Sequence, residues 1–146
     1  MKLSTKGRYG LRAMIDLAAN SKGDYLPLHT IADRQGISER YLEQVFSALK
    51  KAGLVKSIKG AQGGYALSKD AAEITVKDVL STLEGDISVI ENVEYDKNNL
   101  LRHCIKINVW DKMNEAIDGV VSVMTLEDLV RRYREIHGEV DIMYYI

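Results

Sequence analysis

Apolar and polar positions in the first fifty residues alternate with helical spacing. Tyr9, Leu11, Met14, Ile15, Leu17 and Ala18 fall on one stripe, which predicts a helix from about Thr5 to Asn20. Ser21-Lys22-Gly23-Asp24 ends it. Pro27 opens a second helix without loss, because the N–H it lacks has no partner in a first turn. That helix carries Ile31 and Ala32 and stops at Gly36. Ser38 has the short side-chain oxygen of an N-cap, and a third helix is expected from Glu39 to Ala52, with Leu42, Val45, Phe46 and Leu49 inward. Gly53 supplies its stop.

The period then changes. Leu54 to Ile58 reads as a strand, Gly60-Ala61-Gln62-Gly63-Gly64 as a turn and Tyr65-Ala66-Leu67 as the return strand. Thr75-x-x-Asp78 resembles a capping box with Asp in place of Glu, and opens a short helix to Gly85. Residues 86–98 are polar and irregular. Apolar residues recur at three- and four-residue steps from Leu100 to Met124, predicting a long helix from about Leu100 to Val123. Thr125-x-x-Asp128 caps a last helix, Leu126 to Ile136, and a tail follows Gly138.

The spacing between Leu28 and Ser47 fits a helix-turn-helix. A small residue, Ala32, stands where two helices would cross, and Gly36 tolerates positive φ four positions later. Ile31, Ile37, Leu42 and Val45 are the apolar lock. Gln35 is less apolar than such a lock asks for. Two unrelated amphipathic helices around a glycine turn are the plainer alternative. A glycine-rich hairpin directly after the third helix reads as a wing, so the expected fold is mainly α with a small β-hairpin wing. Residues 1–85 would form a winged helix-turn-helix, and residues 86–146 a long dimerisation helix, a C-terminal helix and a tail.

Arg40, Tyr41, Glu43 and Gln44 occupy the outward positions that reach base edges in such units. Arg40 can donate to guanine and Gln44 can pair with adenine. Glu43 can accept from cytosine while repelling phosphate, so it discriminates more than it binds. Lys59, Gly60, Gln62 and Gly63 at the wing tip, with Tyr65 beside them, suit the narrower, more electronegative minor groove. Lys6, Tyr9, Ser38 and Ser57 are candidate phosphate contacts that fix register.

Charge sharpens this picture. The net charge is −1, yet residues 1–69 hold twelve Lys/Arg against five Asp/Glu, and the remainder eight against sixteen. A basic half joined to an acidic half implies a polyanion partner for the first. No apolar run is long enough for a bilayer and the start lacks a signal-peptide core, so a cytoplasmic protein away from membranes is expected. The one cysteine, Cys104, precludes an intrachain disulfide. It lies on the apolar stripe, where packing is the plain reading and a redox role the sharper one. His29, His103 and His137 have no nucleophile or metal spacing and no phosphate-cradling loop occurs, so an enzyme is not expected. One small reading helix needs a second copy for specificity, and Ile107, Trp110, Met113, Ile117 and Val121 are the candidate homodimer interface.

The residues also carry a resemblance. Lys2-Leu3-Ser4-Thr5-Lys6-Gly7-Arg8-Tyr9-Gly10 resembles the opening of the Rrf2 family of bacterial repressors. Ile37-Ser38-x-x-Tyr41-Leu42-Glu43-Gln44, Gly53-Leu54-Val55-x-Ser57-x-x-Gly60-x-x-Gly63-Gly64-Tyr65, Asp78-Val79-Leu80-x-x-Leu83-Glu84-Gly85 and Thr125-Leu126-Glu127-Asp128-Leu129 are similar too. The resemblance implies a winged-helix domain, a dimer helix, an operator of two-fold symmetry, and sequence reading by Glu43 and Lys59. One branch of that family holds an iron–sulfur cluster through three cysteines. This chain keeps only Cys104, with none in the stretch from Glu91 to Asn99, and has Arg8 where a nitric-oxide-sensing type has an acidic ligand, so no metal or cofactor is expected. Met143-Tyr144-Tyr145-Ile146 resembles the ending of a second branch, which represses cysteine-metabolism genes in complex with O-acetylserine thiol-lyase. By that resemblance Tyr145 and Ile146 would dock into the enzyme; an apolar tether on the chain's own dimer is the alternative. A cluster-, redox- or nitric-oxide-sensing repressor, and an interaction module that has lost DNA, are the competing functions.

Overall fold

The stripe on α1 (Thr5–Asn20) buries Ala13, Met14 and Leu17 against two further helices, α2 (Leu28–Gln35) and α3 (Glu39–Lys51). A hairpin follows, β1 (Val55–Ile58) and β2 (Gly64–Leu67), then a short 3-10 turn at Ala71–Glu73 and α4 (Val76–Glu84). Beyond a connector come α5 (Leu100–Ile105), a π-helical turn (Lys106–Trp110), α6 (Asp111–Val121) and α7 (Leu126–Tyr145). The computed structural model describes residues 1–90 and 98–145. The rest of the stretch expected to be irregular, residues 91–97, lies outside the described residues, as does Ile146. Among the described residues no helix is long and apolar enough to cross a membrane.

One core holds the first part together. Phe46, Ile31, Leu42 and Leu49 are fully buried with Met14 and Leu17, and Leu126 of α7 joins them. The last part of the chain therefore packs back on the first, and Arg134 Nη2 donates to the Ala19 carbonyl near the end of α1 at 3.3 Å. A second cluster of Val76, Leu80 and Val121, with Leu3, Leu11, Ile87, Ile117, Met124 and Leu129 against it, fastens α4 to α6.

Local signals decide the helix ends. Gly36 takes the left-handed conformation at φ 63°, which an L side chain adopts only under strain. Both Thr-x-x-Asp segments form reciprocal caps. Thr75 Oγ1 accepts from Asp78 N while Asp78 Oδ2 accepts from Thr75 N, and Thr125 and Asp128 repeat the pattern. The two caps lie back to back, tied by Val76 N to the Met124 carbonyl and Leu126 N to the Ile74 carbonyl, each 2.9 Å. Leu26 adds a one-residue third strand, exchanging both backbone bonds with Tyr65 at 2.8 and 2.9 Å.

The start of α1 is capped from eighty residues away. Glu84 Oε1 accepts from Ser4 N, Ser4 Oγ and Gly7 N at 2.9, 2.6 and 3.0 Å. A Cβ at residue 7 would lie 2.2 Å from that oxygen, so the cap requires Gly7. The Ser4 hydroxyl foremost, then the backbone donors and Lys6, hold the Glu84 carboxyl below the usual carboxylate range against the opposing effect of burial. A lowered folded-state pKa contributes stability above the unfolded value, lost as pH falls through the folded one. Thermal melts of wild type and Glu84→Gln should therefore differ at neutral pH and converge in acid. A gap that widens on acidification would contradict this capping role.

Two expectations are corrected. The last helix does not stop at Ile136; it passes through Gly138 and reaches Tyr145. A glycine in a helix interior costs about 1 kcal/mol, too little to break a helix already started on the core. The expected long helix is continuous but carries a π turn. Asn108 Nδ2 donates to the Cys104 carbonyl at 2.8 Å, taking the acceptor that the ordinary ladder offers Asn108 N, and Asp111 N reaches back five residues to the Lys106 carbonyl.

Candidate nucleic-acid interface

Ser38 ends the turn by capping α3: its Oγ accepts from Tyr41 N at 3.0 Å. The hydroxyl hydrogen is not used by that bond and can donate to a phosphate. Arg40, Glu43 and Gln44 follow, all exposed on the outer face, while Leu42, Val45 and Phe46 turn inward. These candidate contacts thus stand on a helix whose opposite face is locked.

Aromatic rings brace this helix on two sides. Tyr9 meets Tyr41 edge to face, with centroids 6.1 Å apart, and Tyr65 packs on Phe46 at 4.9 Å. Tyr9, Tyr41 and Tyr65 are each half-buried. The Tyr65 hydroxyl has its pKa pushed up, by burial first and then by the negative charge of Glu43.

The wing is tied to α3 by Lys50, whose Nζ donates to Ser57 Oγ at 2.7 Å. Ser57, a candidate phosphate contact, accepts this bond and keeps its own hydroxyl hydrogen to donate. Lys59, Gly60 and Gln62 are exposed at the tip, and Gly60 has φ 116°. Gly63 serves the turn itself, since a Cβ there would stand 2.2 Å from the Ile58 carbonyl oxygen. Lys6 is exposed on the first turn of α1. A lysine on a phosphate releases about one counterion, so Lys59→Ala should reduce the slope of log affinity against log salt by about 1. An unchanged slope would remove Lys59 from the contact.

Behind the turn lies a polar clamp that no local pattern announces. Asp16 on α1 is buried, with Arg34 Nη2 on Oδ1 at 2.7 Å, Arg34 Nε on Oδ2 at 3.0 Å and Gln35 Nε2 on Oδ2 at 2.8 Å. Arg12, one turn earlier, donates to the Gln35 carbonyl at 2.6 Å and lies 5.2 Å over the Tyr9 ring. Gln35, too polar for an apolar lock, belongs to this clamp.

The expected interface residues separate. Ile107 and Met113 are exposed, each 45 %, and Trp110 is half-buried. Val121 is buried in the second cluster and Ile117 packs against it, so both serve the chain's own α4 contact. Leu100, Leu101, Val109 and Val120 extend the uncovered apolar face. Cys104 is exposed, not packed within its own chain as the plain reading had it. Tyr145 closes α7 instead of lying in a tail.

Comparison with known proteins adds to this geometry. Residues 3–132 match the Rrf2 family, described as iron-dependent transcriptional regulator. The HTH-type transcriptional regulator CymR of Bacillus subtilis is 44% identical over 129 residues, which span 88% of this chain and 89% of CymR. The HTH-type transcriptional regulator IscR of Photorhabdus laumondii is 40% identical over 130 residues, spanning 89% of this chain and 79% of IscR. The solved structure of CymR (YrzC), the global cysteine regulator of B. subtilis, superposes with a TM-score of 0.78 at 42% identity, covering 90% of this chain and 98% of that one.

The described side chains do not provide the donors that the iron in the family's description would need. Among the described residues no three His, Cys, Asp or Glu side chains group closely enough to hold a metal. Cys104 is the only cysteine, and the side-chain amide of Asn108 lies 3.7 Å from its sulfur. An iron–sulfur cluster draws on about four thiolate-type ligands, and these residues do not fit one.

Proposed function

We propose, for a chain that belongs to the Rrf2 family of transcriptional regulators, that it is a homodimeric repressor reading a two-fold symmetric operator in double-stranded DNA. The carrying observation is the exposed row Arg40, Glu43 and Gln44 on α3, flanked by the Lys59–Gln62 wing tip and backed by a fixed core. The helix suits the major groove and the wing the adjacent minor groove. The uncovered face of α5, the π turn and α6 supplies the second copy. Repression follows when the bound dimer blocks a promoter.

The regulated pathway is cysteine or sulfur metabolism. Its support is the kinship to CymR, named a global cysteine regulator in B. subtilis. The signal enters through a protein partner, O-acetylserine thiol-lyase, meeting Tyr145 and Ile146; the support is the resemblance of the Met143-Tyr144-Tyr145-Ile146 segment. The exposure of Cys104 favours a second input, oxidation at that thiol.

Fluorescence anisotropy on a duplex enriched from a random pool tests the DNA reading. Affinity should fall steeply with salt, whereas an apolar protein contact would not respond so. Glu43→Ala should relax base preference at one position, where a mismatch ordinarily costs about 1–3 kcal/mol, with little loss of total affinity. If that variant keeps wild-type preference at every position, Glu43 does not read sequence. A pull-down of thiol-lyase with and without Ile146 tests the partner; capture that survives the deletion sinks the docking.

A further inference from the structure

Of the charged residues described in the molecule, Asp16 alone is buried, and its side chain is only 1% exposed. Both carboxylate oxygens are occupied. Oδ1 takes Arg34 Nη2 at 2.7 Å and Asn20 Nδ2 at 3.3 Å; Oδ2 takes Arg34 Nε at 3.0 Å and Gln35 Nε2 at 2.8 Å. Arg34 and Gln35 are the last two residues of α2, and Gly36, at φ 63°, begins the turn that launches α3. The bonds from Asp16, with that of Arg12 to the Gln35 carbonyl, therefore converge on the point from which the reading helix hangs.

This pair, with Asp16 buried and the Arg34 side chain 42 % exposed, stabilises modestly, because desolvation of the carboxylate consumes much of its attraction. It differs from an apolar pair in direction. A guanidinium fork on a carboxylate fixes both distance and angle, whereas methyl groups slide. Arg12 carries the same alignment forward, lying over Tyr9, whose ring meets Tyr41 on the first turn of α3.

We propose that Asp16 is a positioning residue for DNA discrimination: through Arg34 and Gln35 it sets the angle at which α3 is presented, and the fold does not require it. This assignment rests on the reading of α3 as the base-contacting helix.

The test uses the full-length protein, the duplex that the wild-type chain enriches from a random pool, and a scrambled duplex of equal length. The main variant is the double change Asp16→Leu, Arg34→Leu, which leaves no orphaned charge. It should melt near wild type, yet its preference for the enriched over the scrambled duplex should fall about tenfold or more, the scale of losing one base-pair contact. A folded double variant with undiminished preference overturns the proposal. Should that variant not fold, the requirement for Asp16 and Arg34 is structural and the proposal is equally overturned. Arg34→Lys keeps the charge but loses the fork, and its preference should lie between wild type and the double variant; a wild-type ratio again counts against the assignment. Failure of the wild-type chain to enrich any sequence would instead remove the DNA reading beneath it.

Discussion

Met113→Arg is expected to leave a folded monomer that binds the enriched operator about a hundredfold more weakly than wild type. Met113 is 45 % exposed, four residues after the exposed Val109 and seven before the exposed Val120, spacings that share one face of a helix. Met113 belongs to neither core cluster, the one around Phe46 or the one around Val76, Leu80 and Val121, so the substitution leaves both cores intact. In a dimer the guanidinium would be placed against apolar groups with no partner, which association does not tolerate. Each protomer then reads one half-site alone and loses the gain of simultaneous engagement, on the order of 10²–10⁴. Sedimentation velocity alongside anisotropy checks both halves of the expectation. A Met113→Arg protein that stays dimeric would move the interface off this face.

Gly64→Ala is expected to lower stability by about 2–4 kcal/mol and the melting temperature by roughly 10 °C, by overpacking and by loss of two backbone bonds. A Cβ at residue 64 would lie 2.3 Å from the Leu26 carbonyl oxygen and 2.8 Å from Pro27 N. Both obstacles are backbone, so neither rotates away. Relief requires parting β2 from Leu26, which breaks the reciprocal pair with Tyr65 and loosens the ring that packs on Phe46. The loss should therefore appear in DNA affinity as well as in a thermal melt. An unchanged melting temperature would mean that the Leu26 bridge contributes nothing.

What could be read from the sequence was what local chemistry decides. The Thr75 and Thr125 caps, the Gly36 turn, the Ser38 cap and the inward face of α3 depend on neighbours within four residues, and each lies where its pattern placed it. The outward face of α3 followed from the inward one. Features decided at a distance were not legible. Asp16 in an amphipathic helix looks like any solvated acid until α2 brings Arg34 and Gln35 over it. Glu84 caps a helix that begins eighty residues earlier, a pairing without periodicity. Val121 and Ile117 shared an apolar spacing with Met113, but spacing does not say whether a face meets its own chain or another. Nor did Gly138 stop α7, because a helix anchored at Leu126 and Val130 absorbs one unfavourable residue.

In the proposed function two copies of this chain read a two-fold symmetric DNA sequence through α3 and the wing. Selection from a random duplex pool with the purified wild-type protein, followed by sequencing of the bound fraction, puts this to the test. The expected result is enrichment of an inverted repeat whose half-sites lie about 34 Å apart or a multiple of that. Enrichment of no sequence, or of a single site without an inverted partner, would contradict it.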